Sequence, residues 1–174
     1  MRRGLAIYRR LGNELGVAYA LTSIGGVLRV RARRRWDESI EAFLQCIPLL
    51  KAAGRRRQAA IALVSLGDVY HLKSMWAEAY QCFDECFALF SDLGDQMWAQ
   101  NTRRHIGVVH LILGRPQQAM SCFSEALATF KQIGDRRKEA LTLWAIGEVH
   151  AYDGRFTESV ASYQVALAVF QDIK

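Results

Sequence analysis

Apolar residues recur along this chain at helical steps, in blocks that return every 40 residues. Between Ala59 and Lys73 the large apolar positions include Ile61, Leu63, Leu66, Val69, Tyr70 and Leu72, with Leu63, Leu66, Val69 and Leu72 three residues apart and Leu66 and Tyr70 four. That spacing gives one apolar stripe on a helix. A second such stretch runs from Trp76 to Leu93, with Ala79, Phe83, Cys86, Phe87 and Phe90 on one side. Lys73-Ser74-Met75 leaves room only for a tight turn, so the two helices are antiparallel neighbours. Forty residues on, the pattern falls into register with itself: Gly67 with Gly107 and Gly147, Trp76 with Pro116 and Phe156, Phe83 with Phe123 and Tyr163. A fixed period of this length marks an architecture of stacked repeats.

The period divides the chain into residues 1–12, the end of a preceding repeat, and four repeats at 13–54, 55–94, 95–134 and 135–174. Arg2 to Leu11 reads as the tail of a second helix, because Leu5, Tyr8 and Gly12 align with Ile47, Leu50 and Gly54. The chain therefore reads as a piece of a longer protein. Gly94-Asp95 and Gly134-Asp135 follow second helices. Glycine suits the left-handed residue just past a helix end, and the aspartate after it can cap the next helix. Pro116 falls at the first turn of its helix, where proline is tolerated. Pro48 falls inside one, where the lost N–H and the ring cost about 3 kcal/mol or a kink, so a bend is expected there. The last helix is expected to turn Val160, Leu167 or Val169 outward.

Leu66-Gly67, Tyr70, Ala79, Phe83 and Cys86 are spaced as in the tetratricopeptide repeat, and several of these positions agree at once in four copies. The longer 40-residue unit with its Gly-Asp turn resembles the arrays of kinesin light chains, cell-polarity adaptors and the sensor regions of bacterial regulatory ATPases and transcription regulators. The resemblance implies an all-α fold, a right-handed superhelical solenoid of antiparallel helix pairs. It also implies that the first helices line a concave groove. By that analogy the groove positions lie six and three residues before each repeat glycine and one, four and five after it. They are Tyr19, Thr22, Gly26, Arg29 and Val30; Ile61, Val64, Asp68, His71 and Leu72; Asn101, Arg104, Val108, Leu111 and Ile112; Leu141, Trp144, Glu148, Ala151 and Tyr152.

Charge changes this picture at one end. The formal charge of +6 is made of +9 in residues 1–57 and −3 in residues 58–174. The turn carrying Arg31, Arg33, Arg34 and Arg35 is two residues longer than its counterparts, and Arg55, Arg56 and Arg57 open the next repeat. Such a patch suits nucleic acid or an acidic partner, or is simply solvated. No aromatics interleave with these arginines as on base-stacking surfaces. No run reaches the roughly 18 apolar residues of a membrane span, and the basic Tyr8-Arg9-Arg10 interrupts any leader, so a cytoplasmic location without membrane contact is the expectation.

Candidate chemistry adds little. There is no phosphate loop and no His-Glu-x-x-His pair, and Ser65 and His71 lie on a helix, so the chain reads as non-catalytic and without cofactor. Cys46, Cys82, Cys86 and Cys122 could offer thiolates to zinc, but Cys86 holds the small packing position of Ala126 and Ala166, so no metal is expected. His110 and His150 take the place of Tyr70 between paired helices.

The first helix of repeat three stands out: Arg103 replaces a core leucine, and Arg104 stands beside Asn101 in the groove. Asparagine can bond peptide amides and arginine can fork onto a carboxylate, with Trp144 and Tyr152 as flat contacts. Alternatively, Arg103 and Arg104 pair with Asp68, Glu148 or another acid and tie repeats together. The clamp for terminal carboxylates in some tetratricopeptide domains needs an asparagine where Asp68 and Glu148 stand, so that mode is not expected here. The leading expectation is a module within a larger signalling or scaffold protein that binds a protein, peptide or helix through Tyr19, Arg29, Asp68, His71, Asn101, Arg104, Trp144, Glu148 and Tyr152. The alternatives are a nucleic-acid contact through the basic patch, and a sensor or oligomerisation arm of an attached enzyme that self-associates through its open ends.

Overall fold

In the computed structural model, residues 2–31 and 35–173 are described, and among them every regular element is a helix. The nine helices are α1 (Arg2–Arg10), α2 (Glu14–Arg31), α3 (Trp36–Ala52), α4 (Arg56–Leu72), α5 (Trp76–Asp92), α6 (Gln96–Ile112), α7 (Pro116–Ile133), α8 (Arg136–Tyr152) and α9 (Phe156–Asp172). The fold is thus all-α, with the helix pairs that the period calls for. The chain forms two compact units, Met1–Leu89 and Phe90–Lys174, divided near the end of α5.

Helix ends are set by local chemistry. The Asp95 side chain accepts from the Trp98 N–H at 3.3 Å, and that of Asp135 from the Lys138 N–H at 3.0 Å. Asn13 does the same for the Gly16 N–H ahead of α2. Burial alone would raise the Asp135 carboxyl, but bonds from the Lys138 side chain and N–H, and the Lys138 charge, hold it below its ordinary value. The start of α4 departs from this rule. Arg55 stands in the cap position and makes no side-chain cap bond, and Arg56 and Arg57 fill the first turn in place of an acid. Cations there oppose the positive end of the helix dipole. Within repeats, Gly114 and Gly154 supply left-handed turns at φ +70° and +73°, and Ser74 takes the equivalent place at φ +60°. A residue with a Cβ costs about 1–2 kcal/mol more in that conformation.

The paired helices are locked by one glycine and one aromatic ring. A Cβ on Gly67 would lie 2.6 Å from the Phe83 ring, one on Gly107 2.6 Å from Phe123, and one on Gly147 2.5 Å from Tyr163. Gly25 and Phe43 form the same lock in the first pair, at 2.9 Å. Glycine is required because the ring occupies the volume that any side chain would need. The small positions behave likewise: Cys46, Cys86, Ala126 and Ala166 are all fully buried.

Two local readings gain detail. Helix α3 runs without interruption through Pro48, and Leu44, whose carbonyl loses its bond to that proline, is half exposed. On α9, Val160 and Leu167 are exposed as expected, but Val169 is buried. Val169 sits three residues beyond Ala166, on the same helix face, and that face packs inward.

Candidate functional site

The first helices α2, α4, α6 and α8 carry the candidate contact positions, and each unit holds two of them. In the first unit an ion pair reports their register. The Arg29 Nη1 lies 2.9 Å from the Asp68 carboxylate, and both side chains are about a quarter to a third exposed. The residue four past one repeat glycine thus meets the residue one past the next, which puts both on one face of α2 and α4. The two predicted site residues pair with each other there. Tyr19 is exposed on the same helix as Arg29. The His71 ring meets the Trp76 ring edge-on at 5.1 Å, and burial pushes its imidazole below the usual histidine range.

In the second unit, Asn101 and Arg104 are half-buried on α6, with the Arg104 Nη2 3.3 Å from the His105 Nε2. Arg103, the arginine in a core-leucine position, forms a 2.8 Å ion pair with Glu125 of α7. Its charge is therefore answered within its own helix pair. On α8, Leu141, Trp144 and Tyr152 are 39%, 51% and 59% exposed. The Trp144 and Tyr163 rings lie 4.7 Å apart, tilted by 43°. The Tyr163 hydroxyl donates to the Glu148 Oε1 at 2.5 Å. Burial, then this bond, pushes the phenol above its ordinary value. The Tyr152 hydroxyl reaches the Gly114 turn of the preceding pair, 3.0 Å from where a Cβ would stand.

Sequence reasoning aligned Tyr163 with Phe83 and Phe123 and missed its contact with Glu148. The signal was the hydroxyl itself, present where Phe43, Phe83 and Phe123 have none. Glu125 as the partner of Arg103 carried no signal, since any of several acids could have reached it.

Part of the basic patch falls among the described residues. Arg33 and Arg34 lie outside the described residues, and Arg31 is the last residue of α2. Arg35 forks onto Glu38 at 2.6 and 2.5 Å. Arg55, Arg56 and Arg57 are exposed at the start of α4. Burial raises the thiols of Cys46, Cys82 and Cys122, that of Cys82 to about 12 with help from Glu85. Such thiols stay protonated and unreactive at neutral pH. Among the described residues, no group of three or more His, Cys, Asp or Glu is placed to hold a metal ion, and no helix is long and apolar enough to cross a membrane. His110 is buried, and burial and then Arg115 lower its imidazole.

The sequence pattern of the tetratricopeptide repeat matches residues 58–132 and, overlapping them, 95–172. Among solved structures, BtubC (BKLC) from P. vanneervenii is similar with a TM-score of 0.75 and 18% identity, over 88% of this chain and 65% of that one. A Rap protein complexed with competence and sporulation factor gives 0.69 and 12%, over 94% of this chain and 44% of that one. Nearly identical repeats from a Podosopora anserina kinesin light chain give 0.53 and 10%, over 98% and 94%. The chain thus spans less than two thirds of the length of BtubC and of Rap, and at these identities the likeness is one of fold. No curated protein matches the chain in sequence.

Proposed function

This chain belongs to the tetratricopeptide repeat family, and we propose that it is a non-catalytic interaction module that takes a protein or peptide segment along the first-helix face of its second unit. The observation that carries this reading is on α8. Leu141, Trp144 and Tyr152 lie on one face with 39% to 59% of their surface open, in register with Asn101, Arg104 and Ile112 on α6. Large aromatic side chains left open in a row on one helix face supply flat contact area at low entropic cost, and such residues dominate binding energy at interfaces. The Asn101 amide both donates and accepts, so it can pair with the backbone of an extended segment. The first unit offers less, because Arg29 and Asp68 already neutralise each other.

Peptides selected from a random display library on the intact chain provide the test. Trp144→Ala is expected to weaken the selected peptides at least about 10-fold, which is about 1.4 kcal/mol, and Asn101→Ala to weaken them several-fold. Circular dichroism should show unchanged helix content in both variants. Calorimetric affinities equal to that of the parent in both would exclude this face.

A further inference from the structure

Repeat four departs from the other repeats at three positions at once, and Tyr163 meets both of the other side chains. Three residues before the repeat glycine stand Thr22, Val64 and Arg104, and then Trp144. One residue after it stand Gly26, Asp68 and Val108, and then Glu148. In the ring position Phe43, Phe83 and Phe123 give way to Tyr163. Packing does not need the hydroxyl, since the Tyr163 ring already fills the space over Gly147 as phenylalanine does elsewhere. The hydroxyl instead bonds the Glu148 carboxylate at 2.5 Å. The same ring backs Trp144 at 4.7 Å and leaves half of the indole open. Trp144 and Glu148 are four residues apart on α8, and residues so spaced are surface neighbours.

We infer that Trp144 and Glu148 form a subsite for a basic side chain of the bound segment, with Tyr163 as the residue that positions the carboxylate. This rests on the reading that the first-helix face of the second unit binds a peptide. An open indole face attracts a cation, and a carboxylate one turn along attracts the same charge. Arginine fits better than lysine, because its guanidinium can lie flat on the indole while its N–H groups reach the carboxylate. A neutral apolar anchor would strip water from Glu148 without replacing it, and an acidic one would be repelled. Three cations of repeat four are paired with other acids: Arg136 with Glu139, Lys138 with Asp135 and Arg155 with Asp153.

The test titrates the intact isotope-labelled chain with acetylated Gly-Arg-Gly amide and with its citrulline counterpart, which has the same shape and no charge. The Trp144 indole N–H resonance, assigned from Trp144→Phe, is the readout. The arginine probe is expected to shift it saturably and the citrulline probe to leave it in place. Glu148→Gln should weaken the arginine probe about 10-fold. Tyr163→Phe should weaken it about 3-fold with an unchanged melting temperature, which a purely structural hydroxyl would not do. Equal shifts from both probes, or full affinity in Glu148→Gln, would overturn the subsite. If library-selected peptides still shift Trp144 when the arginine probe does not, the subsite fails and the peptide-binding face stands; if neither shifts it, both fail.

Discussion

Phe123→Ala is expected to lower the stability of the second unit by about 3–5 kcal/mol, as truncation of a buried aromatic ring does. The ring is fully buried and joins Ala119, Ala145 and Val149 in one cluster, with Val108, Leu111, Met120 and Ile146 packed around it. It therefore holds α7 against both α6 and α8. Its neighbours come from three helices and cannot all collapse into the space it would leave. Whole domains are stable by only about 5–15 kcal/mol, so the loss would be a large share of the total. In a repeat protein, stability is carried by each unit and its nearest neighbours. Urea unfolding followed by hydrogen exchange should therefore place the weakening in α6, α7 and α8. A loss below about 1 kcal/mol would mean that the ring is not the keystone of that pair.

Gly107→Ala is the second. Helix propensity alone favours alanine by about 1 kcal/mol. Against this, the added methyl would stand 2.6 Å from the Phe123 ring and 3.0 Å from the Cys122 Cβ. The ring is boxed in and has nowhere to yield, and overpacking of this kind costs about 1–3 kcal/mol. We expect the upper end, for a net loss of about 2 kcal/mol once the roughly 1 kcal/mol propensity gain is subtracted. The cause can be isolated with a double-mutant cycle. With Phe123→Ala already in place the ring clash is gone and only the 3.0 Å approach to the Cys122 Cβ remains, so the cost of Gly107→Ala should largely disappear, leaving it neutral or stabilising by up to about 1 kcal/mol. If alanine at this position costs the same in both backgrounds, the clash with Phe123 is not what excludes it.

The locks were legible in the sequence because they repeat. Gly67, Gly107 and Gly147 stand at one place in the period and their rings at another, so each copy corroborates the next. The capping role of Asp95 and Asp135 was legible for a different reason: a cap is local, and its chemistry lies within three residues. What the sequence withheld depends on distant partners. Arg29 and Asp68 are 39 positions apart and Arg103 and Glu125 are 22 apart, and several other acids were available to each arginine. The analogy with the tetratricopeptide repeat gave Arg29 and Asp68 a common face and left their partners open. Tyr163 shows the complementary limit. Reading it as one more phenylalanine-like ring was correct for packing, but the hydroxyl works on a neighbouring helix. Val169 was misplaced because a run of apolar residues on α9 gives no internal sign of which ones turn inward.

The measurement that bears most directly on the interaction face is the footprint of a library-selected peptide on the intact chain, read from backbone amide and tryptophan indole resonances. The account predicts shifts at Asn101, Arg104 and Val108 on α6 and at Leu141, Trp144, Glu148 and Tyr152 on α8. Shifts gathered instead on the outward positions of the second helices, at Ser121, Glu125 and Gln164, with α6 and α8 unmoved, would contradict it.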